Sequence, residues 1–217
     1  MEDKDLYPWR FGRRLSAIFR PLLVFGDENK SKVFFGVGAL RFSVGHLVGK
    51  IEQGHLSQDF FTSVAMRHYI GTVNHEKGHA FARLVSARLR EKGWQTRVEV
   101  QMTELGGSAE LGDVDVLAWK KLGGKIKIVE CKRLQLARTV AEVADICRRF
   151  RGEARDELDK HIQRINWIRS NPAGLRHIVD FVPNPAHIDD RIVTNIQVPM
   201  TYLTSLPIAP EKIGPLK

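Results

Sequence analysis

Gly112-Asp113-Val114-Asp115-Val116-Leu117-Ala118 and, further on, Lys125-Ile126-Lys127-Ile128-Val129-Glu130-Cys131-Lys132 decide how this chain is read. Asp113–Trp119 and Lys125–Glu130 are rich in apolar and β-branched residues, as strands are. Lys120–Gly124 joins them, and its Gly123-Gly124 pair marks a tight turn. Residues two apart on a strand point the same way, so Glu130 and Lys132 share one side. Fourteen residues separate Asp115 from Glu130. If the two strands pair as a hairpin, Asp115 lies near both. Carboxylate oxygens bind hard cations such as Mg²⁺. Such a cation acidifies a bound water and stabilises charge on a phosphodiester oxygen. A lysine beside it can orient or deprotonate that water, or stabilise the transition state.

Outward from the hairpin, the periodicity alternates between helix and strand. Upstream, Thr96–Val100 alternates as a strand. Before it, Phe81, Leu84, Val85, Arg88 and Leu89 recur at helical spacing within Glu76–Glu91, and Gly93 supplies the stop. Ser57–Tyr69 reads as a separate helix. Lys32–Val48, rich in Val, Phe and Gly, reads as short strands with turns. Downstream, Thr139-Val140-Ala141-Glu142 fits a capping box. One apolar stripe runs from Val140 to Ile165, with an interruption expected at Gly152. Asn171-Pro172 ends the helical run. Arg191–Leu203 reads as a last strand, and the Pro-rich end as irregular. Helix, three strands, helix, strand is the order of a mixed α/β core.

Asp115 and Glu130-Cys131-Lys132 together resemble the PD-(D/E)xK nucleases, the restriction-endonuclease-like superfamily. Glu130-x-Lys132 matches the (D/E)xK element. Asp115 matches the first acid, with Val114 where the name has Pro. The resemblance covers about residues 76–165. It implies a restriction-endonuclease-like core, a central mixed β-sheet flanked by helices. It also implies catalysis by Asp115, Glu130 and Lys132, with Mg²⁺ or Mn²⁺ held by Asp115 and Glu130, and hydrolysis of a nucleic-acid backbone. Asp113, Gln135 and Glu76 are additional candidates. Many members carry a first-helix Glu in the pattern Gly-x-x-Phe-Glu-x-x-Val. Gly78, Phe81 and Val85 match it, but the acid position is Ala82. Glu76, six residues earlier, sits on roughly the opposite face.

The composition agrees with a nucleic-acid partner without requiring one. The chain has 217 residues, 34 Lys plus Arg and 25 Asp plus Glu, a formal charge of +9, and a pI near 9.8. Positive charge favours acidic partners. Arg133, Arg138, Arg148, Arg149, Arg151 and Arg155 cluster behind the Glu-x-Lys element. They read either as a phosphate-binding surface or as a solvated face neutralised by Glu142, Asp145, Glu153, Asp156 and Glu157. Apolar residues at 43% and charged residues at 27% exclude a largely disordered chain. Two cysteines and no Cys-x-x-Cys exclude a disulfide framework and a cysteine zinc site. Cys131, by strand parity, turns away from Glu130 and belongs to the core. No apolar run approaches the roughly 20 residues of a membrane span. Met1-Glu2-Asp3-Lys4-Asp5 does not read as a signal-peptide start. A cytoplasmic protein is expected.

His75-Glu76-Lys77-Gly78-His79 matches His-Glu-x-x-His, a zinc-protease pattern. Glu99, 20 residues beyond His79, stands where a third ligand would be sought, but on a strand. The motif straddles an expected helix start, which argues for plain exposed histidines. His161 and Trp167 read as packing residues. Tyr7, Trp9, Phe11 and Phe19 alternate with Arg10, Arg13, Arg14 and Arg20, an arm that packs on the domain or meets a partner.

The expectation is an N-terminal accessory region over residues 1–71 and a nuclease-like domain over 72–217. Three functions stand open: a metal-dependent endonuclease acting on DNA, a non-catalytic module of the same fold binding nucleic acid or protein, and a zinc metalloprotease. A homodimer and a protein partner of the N-terminal region are compatible with the first two.

Overall fold

Alternating apolar residues and a Gly-Gly turn produce the central feature of the chain, a β-hairpin that continues into a five-stranded mixed sheet. The computed structural model describes residues 21–27, 30–56, 58–137, 140–199 and 205–216, the side chains of residues 59 and 141 excepted. The aromatic-basic stretch to Arg20, the Thr139 cap and Arg138 lie outside the described residues. The chain divides into two compact units, Met1–Asn74 and His75–Lys217.

In the first unit, β1 (Leu23–Phe25) and β2 (Lys32–Phe34) form an antiparallel pair. Lys32–Val48 is not a run of strands, because α1 (Val37–Glu52) occupies most of it. Leu40, Val44, Leu47, Val48 and Ile51 repeat with a period of three and four, a helical signal that the Val and Gly content obscured. Ser57–Tyr69 and Glu76–Glu91 are likewise not separate helices. After a short 3-10 turn at Gln58–Phe60, α2 (Val64–Glu91) runs unbroken for 28 residues. His75-x-x-x-His79 therefore lies in mid-helix, not at a helix start.

The second unit carries the sheet, in the order β3 (Gln95–Gln101), β4 (Asp113–Lys120), β5 (Lys125–Lys132), β6 (Ile188–Thr194), β7 (Ile213–Gly214). β3, β4 and β5 are antiparallel neighbours, and β6 and β7 add in parallel. The hairpin turn needs its glycines: Gly123 and Gly124 have φ of 85° and 57°, where an L side chain is strained. A parallel β5–β6 step requires a crossover, and α3 (Val140–Arg148), α4 (Glu157–Ser170) and the short α5 (Arg176–Val179) supply it.

The apolar stripe from Val140 is cut in two at the expected Gly152. The cause is Asp156. Its Oδ2 accepts the amides of Arg151, Gly152 and Glu153 at 2.7–3.0 Å, and its Oδ1 caps α4 through the amide of Asp159 at 2.8 Å. The last strand starts three residues earlier than Arg191 and stops at Thr194. Asn195 then clamps both backbone groups of Leu134 with its side-chain amide. The Pro-rich end is not wholly irregular, since β7 pairs Ile213 with Ile192.

Helices cover both faces of the sheet. Ala82, Val85 and Leu89 of α2 pack on Val116, Ala118, Val129 and Val193. Ile165 and Ile168 of α4 pack on the opposite face, against Val100, Val114, Leu117, Ile126 and Ile128. Among the described residues no helix is long and apolar enough to cross a membrane.

One close approach fixes the rim of this second layer. The Pro172–Leu175 turn meets the Met102–Leu105 turn so tightly that a Cβ on Gly174 would lie 2.1 Å from the Leu105 carbonyl oxygen. Backbone cannot yield as a side chain can. Gly174→Ala should therefore destabilise the protein by about 1–3 kcal/mol, read as a lower midpoint in urea unfolding with unchanged slope.

Candidate active site

A regular strand alternates its faces, and β3 and β4 break that rule at matching positions. Val98 and Val116 are paired and face α2, whereas Val100 and Val114, also paired, face α4. Glu99 and Asp115 lie between them, and each is one residue more than alternation requires. The Glu99 backbone has φ of 56°, a conformation costing about 1–3 kcal/mol in a residue with a side chain. The β4–β5 ladder ends at Val116↔Val129, one step short of Asp115 and Glu130. Asp115 fills the opening: its Oδ2 accepts the Cys131 amide at 2.6 Å.

Asp115 lines a cavity of about 260 Å³ together with Asp113 from β4, Cys131 from β5, and His75, His79 and Ala82 from α2. Burial, and then the neighbouring Glu130, push its carboxyl up to about 7, against the lowering effects of the Cys131 amide and Lys132. Ala82 thus lies where the resemblance expects a helical acid, and it is apolar and 3% exposed.

Glu130 and Lys132 do share one side, toward Arg164 and Glu157 of α4, and neither lines the cavity. Glu130 is 7% exposed. Its Oε1 lies 3.0 Å from Lys132 Nζ, and its Oε2 accepts from Arg164 Nη1. Arg164 also donates to the Leu111 carbonyl at 2.9 Å. Burial alone would raise the Glu130 carboxyl, but Lys132 and then Arg164 outweigh it and hold it below the usual range. Lys132 lies 3.3 Å from Glu157 as well. Burial would lower its ammonium, but Glu130 and Glu157 outweigh that and keep it well above an ordinary lysine. Glu130 and Glu157 thus favour the cationic form of Lys132.

Behind Glu130 stands His161, 1% exposed. Its ring nitrogens lie 4.0 Å from Glu130 and 3.8 Å from Asp190, and neither makes a hydrogen bond. Burial lowers its pKa to about 4, more than the two carboxylates can restore, so it is neutral. Asp190 is held below the usual carboxylate range because Lys212 and Arg169, at 2.5 and 2.8 Å, outweigh its burial. His161 is thus more than a packing residue, since it separates two buried ion-pair groups. Cys131 packs with the α2-facing core, and burial followed by the charges of Asp115 and Glu130 pushes its thiol far up. That makes it a poor nucleophile.

The other candidates are dispersed. Glu76 is exposed, and Arg133 and Gln135 are half-buried just after β5. None of these three lines the cavity. Arg148 pairs with Asp145, Arg149 with Glu157 at 2.6 Å, and Arg151 with Glu153 at 3.3 Å. Arg155 is exposed with φ of 72°. The histidines, by contrast, converge. His79 Nδ1 meets Glu99 Oε1, and His79 Nε2 lies 2.7 Å from His75 Nε2.

Among the residues lining the cavity, Asp113 and Asp115 offer hard oxygen, which suits Mg²⁺ or Mn²⁺. The raised pKa of Asp115 marks a carboxylate whose charge its surroundings do not neutralise. Among the described residues no three His, Cys, Asp or Glu close on one metal position. Mg²⁺ does not require that, as it commonly takes one or two carboxylates and fills its shell with water and phosphate. A larger cavity of about 440 Å³, lined by Phe81, Leu84, Arg88, Val193 and Leu216 among others, holds no paired carboxylates.

A family model described as anti-phage protein Upx-like matches residues 1–214. Neither a curated protein nor a solved structure matches the chain.

A carboxyl with a raised pKa supports the fold fully below its unfolded value and loses that support as pH rises through its folded value. For Asp115 this window runs from about 4 to about 7. Asp115→Asn keeps an oxygen for the Cys131 amide and does not titrate. Its stability advantage over the parent should widen across that window, to at most about 4 kcal/mol. Thermal melts over a pH series check this, and a gap independent of pH would refute the assignment.

Proposed function

This chain belongs to the anti-phage protein Upx-like family, and from that premise we propose that it serves phage defence as a divalent-cation-dependent nuclease of restriction-endonuclease-like fold, with DNA as its substrate. One observation carries the reading: Asp115 stands at the opened end of the β4–β5 ladder, beside Glu130 and Lys132, with its pKa raised. An antiparallel hairpin that continues into parallel strands, covered by helices on both faces, agrees with that fold. The net charge of +9 agrees with a polyanionic partner.

Asp115, with Asp113 beside it, would hold the cation at the cavity. Glu130 would join after giving up part of its hold on Lys132 or Arg164. The cation supplies an acidified water and neutralises charge on the scissile phosphate. Lys132, held protonated by Glu130 and Glu157, stabilises the charge that builds on phosphoryl oxygens. Arg164 keeps Glu130 ionised and fixed in direction.

The runner-up is a non-catalytic module of the same fold, favoured by the apolar Ala82 where a helical acid is expected. A zinc protease has less support. Glu76, its required base, is exposed and away from the cavity, and both nitrogens of His79 are already engaged.

Purified protein incubated with supercoiled plasmid, linear duplex and single-stranded DNA should cut at least one of them with Mg²⁺ or Mn²⁺ and none with EDTA. Lys132→Gln should lower the rate by about 100-fold or more, with the melting temperature measured alongside. Salt-sensitive DNA binding without cleavage would overturn the nuclease reading in favour of the binding module.

A further inference from the structure

The cation chemistry leaves one part of the cavity unused. Glu99, His79 and His75 form a continuous chain from a strained strand residue to the cavity wall. Glu99 accepts from Nδ1 of His79. Nε2 of His79 lies 2.7 and 3.0 Å from the two nitrogens of His75. The rings meet edge to face, with centroids 3.9 Å apart. A carboxylate that orients a histidine, which in turn orients the reacting group, is the arrangement that prepares a base.

With Asp115 and Asp113 given to the cation, the remaining groups of the Glu-x-Lys element offer no base. Lys132 is held as a cation, Glu130 is ion-paired, and Cys131 is a buried neutral thiol. We propose that His75 is the general base for the attacking water and that Glu99 and His79 are its positioning residues. This rests on the phosphodiesterase reading above. In the step, the water oxygen bonds to phosphorus and its proton passes to the unprotonated nitrogen of the His75 ring. The bond from phosphorus to the leaving oxygen breaks, its electron pair stays with that oxygen, and solvent protonates it. The new imidazolium is stabilised by His79, whose Nδ1–H is held by the Glu99 carboxylate.

The groups around the histidines agree with that role. Glu99 faces them from β3, Asp113 and Asp115 from β4, and the Cys131 thiol from β5. Glu76 and Lys77 flank His75 on α2. The carboxylates on β3 and β4 stand around the two imidazoles. The backbone strain at Glu99 is a second, independent sign, because β3 leaves its regular path where it delivers this carboxylate.

The test compares DNA cleavage by wild type, His75→Ala and Glu99→Gln, with melting temperatures recorded for each. His75 is exposed, so its replacement leaves the core intact. His75→Ala should lower kcat about 100-fold, with partial rescue by added imidazole. Glu99→Gln should lower kcat about tenfold at unchanged KM. Wild-type rates in His75→Ala would overturn the relay and leave the nuclease reading standing. Cleavage by none of the proteins would remove the nuclease reading and the relay with it. Stoichiometric zinc in the purified protein, lost in His79→Ala, would overturn the relay by making these residues metal ligands.

Discussion

The second unit depends on one buried carboxylate. Glu130 ends the apolar run of β5 and lies between Lys132 and Arg164, 34 residues further on. Removing either cation would leave a buried charge short of a partner, a loss that typically reaches several kcal/mol. The contact also does structural work at a distance. Arg164 ties α4 to β5 and to the Leu111 carbonyl, and Lys132 extends the pairing to Glu157 at the start of α4. The helix that covers one face of the sheet is thereby registered on the two strands that carry the acids. A hydrophobic replacement would hold the layers together as well, but it could not keep a carboxylate ionised beside Asp115.

How much of this was legible in the sequence depends on how local the cause is. The hairpin was legible because its signals, apolar strands and a Gly-Gly turn, act over a few residues. The shared side of Glu130 and Lys132 followed from strand parity for the same reason. The first unit was misread because Val and Gly in α1 favour strand and turn by propensity, while the spacing of Leu40, Val44, Leu47, Val48 and Ile51 favours a helix, and packing decides such conflicts. The break after α3 was legible at Gly152, but its cause, one aspartate collecting four amides, was not. Arg164, His161 and Asp190 were missed as partners of the acidic centre because nothing nearby in sequence links them to it.

The histidines show a different limit. His75, His79 and Ala82 lie four and three residues apart on α2, so one helix face carries them all. That spacing was available, and it places both histidines beside the position expected for a helical acid. Glu99 was set aside as a third zinc ligand because it falls on a strand and not on a second helix. Its contact with His79 goes with a left-handed backbone, and no residue preference announces it, since glutamate rarely adopts that conformation. The proposed chemistry therefore gathers where local rules fail, as strained positions at working sites commonly do.

Glu99 and Asp115 have a consequence for how this fold can change over generations. Without both of them, Val98 would adjoin Val100, Val114 would adjoin Val116, and every pairing of β3 with β4 would stand in proper alternation. The two acids are matched insertions in a sheet that is regular without them. Loss of one would leave an unmatched bulge and a slipped strand. Loss of both would restore the alternation and take Asp115 and the Glu99–His79 contact from the cavity. Descendants of this architecture should divide sharply, with both residues or with neither.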